Sequence, residues 1–267
     1  MKRYTDFDIR MKEYEYVTRT HLMRRTPVII RIDGKTFHTF TRDFERPFDE
    51  VFMEAMQDTM LYLCENIQGC VLGYTQSDEI TLVLVDYQTL NTSAWFDYNI
   101  QKVTSVAASM ATMRFNQAFA ETANNFSKRL ATGEDLTLEE YAHVSTMSWI
   151  YNDAVERGAC FDARAFNIPK EEVTNCILWR QNDATRNSIL SVGQAYFTHS
   201  QLHGKSCKEI QNMLLTQKDV NWNDYPDECK RGTCCVKTYV GWIVDRHIPI
   251  FKGDGREYIE SRINFPD

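Results

Sequence analysis

The sequence predicts an α+β fold: an antiparallel sheet with flanking helices and a C-terminal extension. Three observations carry that expectation. Val28, Ile30 and Ile32 alternate as β-branched residues along one face, the pattern of a strand. Phe48, Phe52, Ala55, Thr59 and Leu63 recur at helical spacing. Cys70 to Tyr74 and Ile80 to Val85 then form two apolar runs around a polar tip, which reads as a hairpin. The resulting βαββ order has a right-handed crossover, so its first two strands run parallel. The third returns antiparallel and fits between them. That arrangement brings the end of the first strand, Asp33, to the same rim as the hairpin tip, Asp78 and Glu79.

The elements follow in order. Residues 4–25 read as a mixed-charge helix with Tyr14, Val17 and Leu22 on a ragged apolar face. Gly34 permits a tight turn after the first strand, leading into a loop or short helix over 36–41. Asp49 and Glu50 suit the positive end of the crossover helix, which stops before Gly69. Met53, Met56 and Met60 read as packing residues. A long helix is expected from about Trp95 past Phe115, and a helical pair over 138–156. Residues 159–166 read as a further strand, and a helix from Glu171 continues into the polar stretch 179–188. A final hairpin over 236–251 is expected to turn at Arg246-His247-Ile248-Pro249. No repeat or linker marks a boundary. The expected division is a catalytic core over 1–135 and a packed extension over 136–267.

Composition narrows the function classes. The 43% apolar and 25% charged content is that of a folded chain, and no run of eighteen apolar residues predicts a membrane span. Residues 1–6 lack the apolar core of a signal peptide, so the expected location is the cytoplasm. Eight cysteines lie scattered without a C-x-x-C pair, which argues against a zinc knuckle or a redox motif. His199 and His203 have the spacing of zinc ligands on a helix, but no acid follows in the H-E-x-x-H manner, and they read as ordinary histidines. The net charge of −7 is unusual for a nucleic-acid binder. Residues 1–46 nevertheless carry eleven Lys and Arg against seven Asp and Glu. A basic N-terminal segment is compatible with an anionic partner.

The chemistry concentrates at the acidic rim. Two neighbouring carboxylates repel unless a cation lies between them, and hard oxygen donors favour Mg²⁺. Two such ions are what phosphoryl or nucleotidyl transfer requires. Lys35 and His38 beside the glycine turn suit a triphosphate. The basic turn at Lys230 and Arg231 is a further phosphate candidate, and Lys102 reads as a solvated lysine or a triphosphate contact. The Arg, Gln, Asn and Asp of 179–188 suit phosphates or a base edge. A palm-like nucleotide cyclase and a non-catalytic RNA-binding module are the competing readings.

Five stretches, in this order, carry a resemblance: 31–38 (Arg-Ile-Asp-Gly-Lys-Thr-Phe-His), 74–79 (Tyr-Thr-Gln-Ser-Asp-Glu), 161–164 (Phe-Asp-Ala-Arg), 179–183 (Trp-Arg-Gln-Asn-Asp) and 230–233 (Lys-Arg-Gly-Thr). Across some 200 residues the chain resembles the tRNA-histidine guanylyltransferase-like family of 3′–5′ nucleotide-adding enzymes. The resemblance implies a polymerase-palm-like, ferredoxin-like βαββαβ sheet, often in a homotetramer, using two Mg²⁺ ions with GTP or ATP as substrate and activator, and tRNA as partner. It implies Asp33, the Gly34 carbonyl and Asp78 as metal ligands, with Glu79 as a further catalytic acid. It implies nucleotide contacts from Asp33, Gly34, Lys35, Thr36, Phe37, His38, Arg46, Ser77, Asp78 and Lys102. Arg164, Arg180, Asp183, Arg186, Asn187, Lys230 and Arg231 are candidates for tRNA or triphosphate. One departure bears on substrate. Family members that guanylylate histidine tRNA carry a His-Ile-Asn-Asn run where this chain reads Thr185-Arg186-Asn187-Ser188. That change marks the branch that repairs 5′-truncated tRNA by templated addition, which makes repair the expected activity and histidine-tRNA guanylylation the alternative.

Overall fold

The computed structural model describes residues 5–130 and 136–265. One six-stranded sheet, wholly antiparallel, runs in the order β4-β1-β3-β2-β5-β6. Its strands are β1 (Val28–Gly34), β2 (Cys70–Gln76), β3 (Glu79–Leu84), β4 (Phe161–Asn167), β5 (Thr233–Thr238) and β6 (Gly241–Asp245). The first four follow the ferredoxin-like order 4-1-3-2, so β3 does lie between β1 and β2. Strands β5 and β6 widen the same sheet beyond β2. The boundary expected at 135/136 adjoins residues 131–135, outside the described residues.

The helices are α1 (Asp6–Tyr16), α2 (Phe37–Phe40), α3 (Glu50–Asn66), α4 (Ile100–Lys128), α5 (Leu138–Arg157), α6 (Val173–Tyr196), α7 (His199–Leu202), α8 (Cys207–Lys218), α9 (Asp227–Arg231) and α10 (Glu257–Ile263). Strand alternation sorts the two faces of the sheet. Val28, Ile30, Ile32, Ile80 and Leu82 face α3 and α4 in the main core. Ile29, Val83, Leu72 and Tyr74 face α6 and α10 in a second one. Helix α3 is capped by Asp49, whose carboxylate accepts from the Phe52 N–H and satisfies a terminal amide. It buries Phe52, Ala55, Met56, Thr59, Met60 and Leu63. Met56 and Met60 are core residues, and Phe48 packs edge-on to Tyr225 in a third, smaller cluster.

Three expected elements differ. The N-terminal helix ends at Tyr16 rather than near Arg25, and none of its residues is buried. With no core contact to extend it, the chain turns away. Residues 138–157 form one helix rather than a pair, because Thr137 and Glu140 make a reciprocal cap and no breaker interrupts the run. The last hairpin turns at Tyr239-Val240, not at 246–249. The Thr238 hydroxyl bonds the Gly241 carbonyl and closes that turn.

Candidate active site

The rim is assembled by the pairing of β1 with β3. Asp33 stands opposite Glu79, and the Gly34 N–H donates to the Asp78 carbonyl at 3.1 Å. The end of the first strand and the hairpin tip are therefore tied by backbone. Gly34 is required by packing: a Cβ there would meet the Phe37 ring at 2.2 Å. Phe37 in turn anchors the loop, with its ring against Phe40, Phe52, Phe115 and Phe161. Its side chain belongs to the core, which leaves only its backbone for a ligand. Lys35, Thr36 and His38 are exposed around it. Thr36 and Ser77 take left-handed backbone at φ 56° and 49°. The Ser77 hydroxyl lies 3.1 Å from an Asp78 carboxylate oxygen.

The three acids differ in their partners. Burial pushes the Asp78 carboxyl above the usual carboxylate range, and the neighbouring Asp33 charge adds to the rise. His38 opposes it with an attractive field. Among the described residues, neither Asp33 nor Asp78 pairs with a lysine or arginine. Glu79 is also raised by burial, but it accepts from Arg180 Nε at 2.6 Å and has Arg31 Nε at 3.9 Å. Its charge is already neutralised. Arg180 is 7% exposed and also bonds Asp183 at 3.0 Å, so it braces the rim and is not free for RNA.

The other residues separate into near and far. Arg46, Ser77 and Asn187 line a cavity of about 270 Å³ beside the rim, between α3, the β2 tip and α6. Arg164 is exposed on β4 opposite Arg31, with Asp162 at 3.5 Å, and Arg186 is exposed on α6. Lys230 is buried; its ammonium donates to the Asn223 carbonyl at 2.7 Å. Arg231 pairs with Asp227 at 3.0 Å. Both basic groups are thus engaged by residues just before them in the chain. Lys102 lies at the other end of the sheet, beside the Leu22–Tyr98 backbone contact, in a second cavity of about 600 Å³. His199 and His203 sit with ring centroids 6.0 Å apart, and among the described residues no group of three metal-binding side chains forms.

Sequence reading gave no site role to Arg31, Asp49 or Gln57. Arg31 was findable, since it shares a strand face with Asp33 two residues on. Asp49 is buried at the cavity, where desolvation raises its carboxyl while the Phe52 N–H and the Tyr151 hydroxyl lower it. Gln57 bridges Glu228 at 2.8 Å and Arg246 at 2.8 Å, contacts across more than 170 residues that no local pattern announces.

A ferredoxin-like unit with two carboxylates on one strand-end rim, neither paired with a lysine or arginine among the described residues, defines a palm-like nucleotidyl-transfer scaffold. Comparison with known proteins makes this specific. The sequence model of the tRNAHis guanylyltransferase family matches residues 8–169, more than half of the chain. The chain belongs to that family, whose members are nucleotidyltransferases acting on tRNA. A bacterial tRNA(His) guanylyltransferase-like protein solved in complex with ATP is 40% identical, with TM-score 0.83 over 98% of this chain and 100% of that one. Such a protein solved with GTP is 37% identical, with TM-score 0.77 and the same coverage. The tRNA(His) guanylyltransferase of Schizosaccharomyces pombe is 28% identical over 85% of this chain and 78% of its own length. No helix among the described residues is long and apolar enough to cross a membrane.

Proposed function

We propose that this enzyme adds nucleotides to the 5′ end of tRNA in the 3′–5′ direction, and that its substrate is a 5′-truncated tRNA repaired against its own opposite strand. The observation that carries the reading is the rim itself. Asp33 and Asp78 are close enough to repel and, among the described residues, have no arginine, while the third acid beside them has one. That donor set fits Mg²⁺, which is held by one or two carboxylates with substrate phosphates completing its shell. Asp33, Asp78 and the Gly34 carbonyl would hold the ions. When bound, they lower the pKa of an attacking oxygen and stabilise charge on leaving pyrophosphate.

The chain's own residues do the rest. The cavity beside Ser77 takes a nucleoside triphosphate, with exposed Arg46, Lys35 and His38 as phosphate contacts. The RNA 5′-monophosphate is first activated by one triphosphate, with release of pyrophosphate. The 3′-hydroxyl of a second triphosphate then attacks that 5′ phosphorus and expels the activating nucleotide as its monophosphate. Glu79, clamped by Arg180, keeps the β1–β3 rim in place.

Thr185-Arg186-Asn187-Ser188 in place of His-Ile-Asn-Asn supports repair over guanylylation of intact histidine tRNA. Asn187 stands at the cavity wall, where such a difference can act. In the same reading the enzyme works in the cytoplasm as a homotetramer. Exposed Phe7, Ile9, Tyr14 and Tyr16 on α1 support a contact between copies, and light scattering tests it. The deciding experiment compares tRNA lacking its first 5′ nucleotide with intact histidine tRNA. Extension of the truncated RNA at least tenfold faster is expected. Preference for the intact tRNA would reassign the enzyme to guanylylation, and a cyclic nucleotide formed without RNA would make it a cyclase.

A further inference from the structure

Trp179 is 54% exposed on α6, one residue before the arginine that braces the rim. Its indole is not loose. The Arg180 guanidinium lies 4.5 Å from the ring centroid, and Arg31 reaches it at 5.8 Å. Arg180 cannot swing away, because Glu79 holds it at 2.6 Å and Asp183 at 3.0 Å. The ring therefore rests on a fixed cation and leaves much of its surface to solvent.

The neighbourhood of the ring has capacity left over. Arg31 Nε is buried without a hydrogen-bond partner, its nearest carboxylate oxygen being Glu79 Oε2 at 3.9 Å. Arg164 stands opposite Arg31 on the edge strand β4 and is exposed, held among the described residues only by an exposed ion pair with Asp162 at 3.5 Å. Arg31 and Asp33 occupy one face of β1, so the aromatic surface and the acidic rim share a face of the sheet. One ion pair and one cross-strand step separate Trp179 from Asp33.

A rigid aromatic ring flanked by guanidinium donors has the chemistry of a base-stacking surface with phosphate contacts beside it. We propose that Trp179 stacks on the terminal base of the RNA and so sets the 5′ end against Asp33 and Asp78, an assignment that rests on the tRNA reading above. A nucleobase could come from the RNA or from the free triphosphate. The cavity at Ser77 already suits the triphosphate, which leaves the Trp179 surface to the RNA. Trp179 is a positioning residue in this account.

The test uses the full chain and an acceptor-stem RNA with 2-aminopurine as its first 5′ nucleotide. Wild-type enzyme should quench the probe on binding. Trp179→Ala should lose the quench and raise KM for RNA roughly 5- to 100-fold, the loss of one stacked base. Its kcat should stay within about threefold and its KM for triphosphate should not move. Trp179→Phe should keep most of the quench, and circular dichroism should show both variants folded. Equal quenching and equal RNA KM in Trp179→Ala would overturn the proposal. So would a Trp179-dependent quench of 2-aminopurine triphosphate without RNA, or a change in particle mass in Trp179→Ala, which would mark a contact between copies. Quenching by a wild-type enzyme that adds no nucleotide would uphold the stacking surface and reject the proposed reaction.

Discussion

The two ends of the central sheet treat their acids in opposite ways. Just past β3, Asp86 is fully buried and fully matched: Arg24 Nε donates to it at 2.6 Å and the Arg25 N–H at 2.9 Å. At the other end, Asp33 and Asp78 come together with no lysine or arginine paired to either among the described residues, and burial with mutual repulsion raises Asp78. A buried carboxylate whose cation is built into the chain serves the fold. A pair left without one serves a cation that arrives from solution. Glu79 shows the difference inside the rim itself, since Arg180 makes it part of the scaffold.

Substitutions can break this comparison. Asp33→Ala or Asp78→Ala should lower nucleotide addition by a thousandfold or more, roughly the share of the barrier a metal-bound charge supplies. Thermal melts should show both variants folded. A variant within tenfold of the wild-type rate would remove the metal assignment. Arg180→Met should act on the fold instead. It leaves Glu79, at 6% exposure, with only Arg31 at 3.9 Å, and chemical denaturation should show a loss of up to about 3–5 kcal/mol. An unchanged midpoint would mean that Arg180 is a dispensable contact. At the matched end, Asp86→Asn should cost about 1–3 kcal/mol by weakening two charge-assisted bonds, yet leave the rate per folded molecule unaltered.

A smaller effect sharpens the contrast through pH. The Asp78 carboxyl titrates above its ordinary value of 3.8 in the folded chain. Between that value and the raised one the folded state holds more protons than the unfolded state. Stability without divalent cations should therefore fall as pH rises through this window and recover as pH falls. Melts in chelator at pH values rising from 3.8 should show the decline, and Asp78→Asn should flatten it. A wild-type decline no steeper than that of Asp78→Asn would contradict the assignment.

Much of this was legible in the sequence because it is local. Strand alternation at Val28, Ile30 and Ile32, the helical spacing from Phe52 to Leu63, and the acidic tip at Asp78 fix three elements and bring two acids to one rim. The motif at 179–183 drew attention to α6, but not to what its residues do. Arg180 reads as an RNA contact in sequence and is buried against Glu79, a partner 101 residues away. Lys230 likewise reads as a phosphate group, and its ammonium is consumed by the Asn223 carbonyl. Lys102 has the right chemistry at the wrong end of the sheet, because α4 begins beside the start of β1. Charge says what a side chain can bind; only tertiary neighbours say whether it is free to do so.

The most direct measurement is the melting temperature of wild-type enzyme and Asp33→Asn against Mg²⁺ concentration, with a non-hydrolysable triphosphate present. The account predicts that wild-type stability rises with Mg²⁺, by about 2.7 kcal/mol at a hundredfold excess over Kd, and that Asp33→Asn loses most of the rise. Equal responses in the two proteins, or none in the wild type, would contradict it.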